Sequence, residues 1–121
     1  MTPFGIRLRQ LRGEKGLTLA VLARTLGVTP AYISQLENGH KGQPSAVLVD
    51  QICVVFGLIW DEAEALKEMA RQSRVRVVID TSQSGPEATR AANLMAEILP
   101  RIDDDEARLM AEWLEDRQKK L

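Results

Sequence analysis

The side chains of this chain with the most chemistry to offer lie between Pro30 and Gly39, in the run PAYISQLENG. Ile33 and Leu36 recur at a helical spacing and read as an inward face, which leaves Ala31, Tyr32, Ser34, Gln35 and Asn38 on the outer and flanking faces. Most of these outer side chains are neutral hydrogen-bonding groups, so what they offer is directional hydrogen bonding. Small, uncharged groups of this kind on an exposed helix suit the donor and acceptor edges of bases in the major groove of DNA.

Other chemistries lack their parts. His40 is the sole histidine, so no nucleophile has a histidine base, and with no candidate ligand near it except Cys53, the sole cysteine, a metal site is not expected. Cys53 lies inside the apolar run Ile52 to Phe56 and reads as a buried, inert thiol. Asp103, Asp104, Asp105 and Glu106 are consecutive, so on a helix they point in different directions, and capping explains them better than acid-base catalysis. No phosphate-cradling glycine pattern occurs. The expectation is therefore a chain that is not an enzyme, with no catalytic residue, metal or cofactor.

The flanking sequence supplies the elements that would hold the outward face in place. Leu22, Ala23 and Leu26 form an apolar stripe, Gly27 stands where a helix needs a left-handed ending, and Thr29-Pro30 gives an N-cap followed by proline at the first helical position. Two short helices joined by a tight turn are thus predicted over residues 18–39. Before them, Phe4, Leu8 and Leu11 mark a first helix, with Arg12 beside Leu11 near the core boundary, where an unpaired arginine would be costly. After them, a polar loop from His40 to Pro44 leads to a helix capped by Ser45 and stopped by Gly57, carrying Leu48, Ile52 and Phe56 inward. A further helix over residues 60–73 turns Ala63, Leu66 and Ala70 inward and has Asp61, Glu62 and Glu64 in its first turn, as the helix dipole favours.

This pattern resembles the helix-turn-helix of the phage-repressor-like family, also called XRE or Cro/cI-type. The resemblance runs from about Phe4 to Leu58 and rests on the small Ala23, the turn Gly27 and the run YISQLENG. It implies that Thr29, Ala31, Tyr32 and Gln35 approach base edges, with Gln35 foremost because its amide can bond an adenine bidentately. It further implies phosphate contacts from Arg9, Ser34, Asn38, His40 and Lys41, and a structural pair between Arg12 and Glu37. Leu19 and Pro30 depart from the pattern, since many relatives carry glutamine at the former position and some phage repressors do at the latter. The first departure removes a phosphate anchor, and the second moves specificity toward Ala31, Tyr32 and Gln35.

Beyond residue 73 the texture changes. Arg74 to Asp80, RVRVVID, is rich in β-branched residues and reads as a strand, with an extended linker as the alternative. No second strand is visible, so Val75, Val77 and Ile79 are expected to pair with another subunit. Gly85-Pro86 opens a helix with Leu94, Met95 and Ile98 on its apolar face, and Asp103 caps a last one carrying Leu109, Met110 and Trp113. A hairpin of this size cannot bury its own apolar face, so it must pack on the head or on its own copy, and a homodimer is expected.

Charge follows the same division. Residues 1–58 carry six Lys/Arg against three Asp/Glu, and residues 59–121 carry ten against fourteen, within a chain of formal net charge −1. A basic head and an acidic tail fit nucleic-acid binding by the former. No stretch reads as a membrane span or secretory signal, which sets the cytoplasm as the expected address. The predicted fold is all-α: a five-helix phage-repressor-like DNA-binding head over residues 1–73, then a dimerisation region over 74–121 made of a short strand and a helical hairpin. The predicted function is a homodimeric regulator, a repressor that binds double-stranded DNA at a pseudo-palindromic operator. The alternative is a protein-interaction module with weak DNA binding, such as an antitoxin or anti-activator, acting on a protein partner.

Overall fold

The computed structural model describes residues 1–121 and is all-helical: α1 (Pro3–Glu14), α2 (Leu19–Leu26), α3 (Pro30–Asn38), α4 (Ala46–Phe56), α5 (Asp61–Arg71), α6 (Pro86–Ile98) and α7 (Asp104–Lys119). Local chemistry fixes most of these boundaries. The hydroxyls of Thr2, Thr18, Thr29 and Ser45 and the carboxylate of Asp103 each accept the backbone N–H three residues on, starting α1, α2, α3, α4 and α7. Each such cap stabilises its helix by about 1 kcal/mol. Gly27 closes α2 with φ at 72°, a left-handed turn that costs glycine nothing and lets Thr29 begin α3 almost at once. α5 starts differently. It has no side-chain cap, and Trp60 before it holds φ at 51° and ψ at −121°, the only positive φ outside glycine.

The chain divides into two units, Met1–Val77 and Val78–Leu121. In the first, Phe4, Leu8, Leu22, Ile33, Leu36, Ile52 and Leu66 are fully buried, so α1 to α5 share one core. Gly5 sits where α1 packs directly on α3; a β-carbon there would run into the carbonyl oxygen of Leu36. The end of α5 is tied to the start of α1, because Ser73 Oγ accepts the Phe4 N–H at 3.0 Å and donates to the Met69 carbonyl at 2.5 Å. Phe56, expected to point inward, is only half-buried and packs against the edge of the core.

In the second unit α6 and α7 are joined through Leu99 to Asp103, and neither helix has a buried residue. Leu94, Ile98, Leu99, Leu109, Trp113 and Leu114 are all exposed, while Met95 and Met110 are partly shielded. The predicted strand at Val75, Val77 and Ile79 does not form. Arg74 to Asp80 is neither helix nor strand and bends at Val75 and Arg76. β-branched residues fit a pleated surface, but a strand exists only through the ladder it makes with another, and no other segment of the chain supplies one.

Candidate nucleic-acid interface

α2, the turn at Gly27 and α3 carry the outward face. Leu22, Ala23 and Leu26 from α2 meet Ile33 and Leu36 from α3 in the core, which fixes α3 by its inner side and leaves its outer side in solvent. Ala31 and Gln35 are exposed, and the Gln35 side chain makes no hydrogen bond within the protein, so its amide oxygen and nitrogen are both available. Thr29 stands at the tip of the helix, but its hydroxyl oxygen accepts the Tyr32 N–H at 3.1 Å, which leaves mainly its O–H to offer. Tyr32 is half-buried against the core, so its ring has less freedom than Gln35.

Behind this face runs a polar network that ties α3 to α1. Glu37 is 2% exposed, and its carboxylate accepts Arg12 Nε at 2.7 Å and a second guanidinium nitrogen of Arg12 at 3.0 Å, a bidentate pair. Arg12 also donates to the Leu17 carbonyl at 3.0 Å. The hydrogen bonds to Glu37 raise the Arg12 pKa above its ordinary value, against burial, which lowers it. Arg9 joins the same group: its Nε reaches Glu37 at 3.4 Å and its terminal nitrogen donates to Asn38 Oδ1 at 2.5 Å. Asn38 Nδ2 in turn donates to Ser34 Oγ at 3.2 Å.

Three residues expected at phosphates, Arg9, Ser34 and Asn38, are therefore brought together as one hydrogen-bonded row along the edge of α3. Sequence reasoning missed that Arg9 is a second partner of Glu37. The signal was available, since Arg9 and Arg12 are three apart on one helix and share a face.

His40 and Lys41 follow α3 in the polar loop, both exposed. Their backbone N–H groups both bond the Gln35 carbonyl, at 2.9 and 3.1 Å, so the loop is folded back on the helix it leaves. Cys53 is buried, and loss of hydration pushes its thiol pKa up, the condition of an unreactive cysteine. No group of three His, Cys, Asp or Glu is arranged to hold a metal ion. The remaining sequence-selected residues, Val75, Val77, Ile79, Leu94, Met95, Ile98, Leu109, Met110 and Trp113, lie after α5 and in α6 and α7, and of these only Met95 and Met110 are partly covered.

Known proteins carry the same pattern. The family model described as a helix-turn-helix domain matches residues 3–66, just over half of the chain. The chain is 35% identical over 65 residues to the uncharacterized HTH-type transcriptional regulator RghRB of Bacillus subtilis, covering 54% of this chain and 47% of that one. It is 40% identical over 67 residues to the HTH-type transcriptional repressor RghR of the same organism, covering 55% and 42%. With the HTH-type transcriptional regulator RamB of Mycobacterium tuberculosis it shares 42% identity over 57 residues, covering 47% of this chain and 12% of that one. The matched stretch thus spans less than half the length of each of these relatives.

Proposed function

The chain belongs to the helix-turn-helix family of phage-repressor-like (XRE, Cro/cI-type) transcriptional regulators, and from that premise we propose that it is a sequence-specific repressor binding a pseudo-palindromic operator in double-stranded DNA as a homodimer. One observation carries this reading: α3 is held by its buried Ile33 and Leu36 while Ala31 and Gln35 stay exposed and free of protein partners. In it, α3 enters the major groove, Gln35 reads a base with help from Thr29, Ala31 and Tyr32, and the Arg9, Ser34 and Asn38 row meets phosphates with His40 and Lys41. The printed name of RghR, a transcriptional repressor, supports the choice of repressor.

Residues 74–121 are the dimerisation region in this reading. Val75, Val77, Ile79, Leu94, Met95, Ile98, Leu109, Met110 and Trp113 supply the apolar surface, most of it bare in a single chain. Two helices with no buried residue gain from covering that surface with a second copy, which also brings two reading heads to two half-sites.

The same bare surface favours a second reading, in which the main task is to bind a protein partner, as an antitoxin or anti-activator does. Retention on mixed-sequence duplex DNA separates the two. A regulator of DNA is retained at low salt and released as salt rises. A chain that passes through at low salt is a protein-binding module. No helix is long and apolar enough to cross a membrane.

A further inference from the structure

Most cations of the first unit are already engaged. Arg7, Arg9, Arg12, Lys67 and Arg71 each sit in an ion pair, and Lys15 donates to the Val55 carbonyl at 2.8 Å. Arg24, Lys41, Arg74 and Arg76 are exposed and have no acidic partner. Of these, Lys41, Arg74 and Arg76 lie on two chain segments that touch.

The contact is made by Gly42, next to Lys41. A β-carbon on Gly42 would lie 2.8 Å from the carbonyl oxygen of Ser73, 3.1 Å from the nitrogen of Val75 and 3.4 Å from the α-carbon of Arg74, so the loop after α3 rests on the segment that leaves α5. Ser73 is itself pinned to α1 through the Phe4 N–H. Arg74 and Arg76 thus leave the fold from an anchored base beside Lys41. No Asp or Glu occurs at residues 38–49 or 69–79. The bordering carboxylates are occupied: Glu37 by Arg12, Asp50 by Lys67 at 3.8 Å, Glu68 by Arg71, and Asp80 by the Ser82 N–H. The backbone N–H groups of Arg74 to Val77 donate to no protein atom. Free guanidinium groups and free backbone N–H groups, with no competing acid, make a surface for phosphate oxygens.

We infer that Arg74 and Arg76, with Lys41 beside them, form a second grip on the DNA backbone, taking phosphates next to the groove that α3 enters. The inference rests on the DNA-binding reading above and adds Arg74 and Arg76, which neither the helix-turn-helix pattern nor the matched residues 3–66 include. It also gives the segment a role in which it needs no strand partner.

The test measures the affinity of the full chain for mixed-sequence duplex DNA across a salt series. Each phosphate contact contributes about 0.9 to the slope of log affinity against log salt, so the double variant Arg74→Gln/Arg76→Gln should lower that slope by about 2 per bound subunit, or about 4 for a bound dimer. Arg101→Gln/Arg117→Gln removes the same charge from two exposed tail arginines that also lack an acidic partner, and should leave the slope as it was. An unchanged slope in the first variant overturns the inference, and so does an equal fall in the second, which would reflect net charge alone. Sedimentation of the Arg74→Gln/Arg76→Gln chain should match the unaltered chain; a change in assembly state would assign the two arginines to subunit contact instead. If the unaltered chain is not retained even at low salt, the DNA-binding reading fails and takes this inference with it, an outcome distinct from an unchanged slope.

Discussion

Gln35 and Glu37 sit two residues apart on α3 and do opposite work. Gln35 is exposed with a free amide, so Gln35→Ala should lose about 1–3 kcal/mol of affinity for the preferred operator, relax the preference at one base pair per half-site and leave the melting temperature unchanged. Binding to a panel of single-base operator variants checks it. Glu37 is buried and answers two arginines, so Glu37→Ala strands the Arg12 charge and should destabilise the first unit by about 3 kcal/mol or more. Arg9→Ala, which removes the longer and more exposed of the two contacts, should lower stability by less than about 1 kcal/mol. Thermal melts of both variants and of their combination decide whether Arg9 and Glu37 act together. Because the folded Arg12 pKa is raised, its contribution is present below the ordinary arginine value and is lost only as pH rises through the raised one. Melts between neutral pH and the ordinary arginine pKa should therefore show no loss from this group.

At the scale of elements, Trp60 is the exception among helix starts that otherwise follow local rules. Its backbone lies where non-glycine residues are strained by about 1–3 kcal/mol, and the residue is 82% exposed, so no core packing offsets the strain. Trp60→Gly relieves it at an entropic cost of roughly 0.5–1 kcal/mol and should raise stability by about 1 kcal/mol, read from thermal melts. A drop in stability would mean that the indole is held by contacts that matter. Elsewhere the element boundaries were legible. Thr29, Pro30 and Gly27 spell out a helix start and stop in short-range chemistry, and apolar spacing picks out Leu22, Ile33 and Leu36 as core without reference to the rest of the chain. The segment after α5 departs from the strand expectation, though not from the linker alternative, for the complementary reason. Val75, Val77 and Ile79 have strand propensity, but a strand depends on a partner, and local sequence cannot provide one. The approach of Gly42 to Ser73 was hidden for a similar reason, since it joins residues far apart in the sequence through backbone atoms that no residue type announces. Arg9 lay between these cases: its helix face was readable, but the carboxylate it shares with Arg12 emerges only when α1 and α3 cross at Gly5.

The whole molecule pairs a unit with a closed core and a unit with none. A head that buries Phe4, Leu8 and Ile52 should fold alone, whereas α6 and α7 have to cover their apolar faces. A chain shortened to residues 1–73 should stay helical and monomeric by sedimentation, and bind its operator far more weakly, because two half-sites are no longer engaged together and Arg74 and Arg76 are lost with the tail. In the full chain, Trp113→Glu should split the dimer while the head still melts as before. A shortened head that remains dimeric would move the interface into residues 1–73. The central claim, that α3 reads DNA sequence in a two-fold assembly, is tested most directly by selecting duplexes bound by the full chain from a random pool. The account predicts one enriched site made of inverted half-sites whose centres lie about one helical turn, roughly 34 Å, apart or a multiple of it. A pool that stays random after repeated rounds, or an enriched site with no inverted repeat, would contradict it.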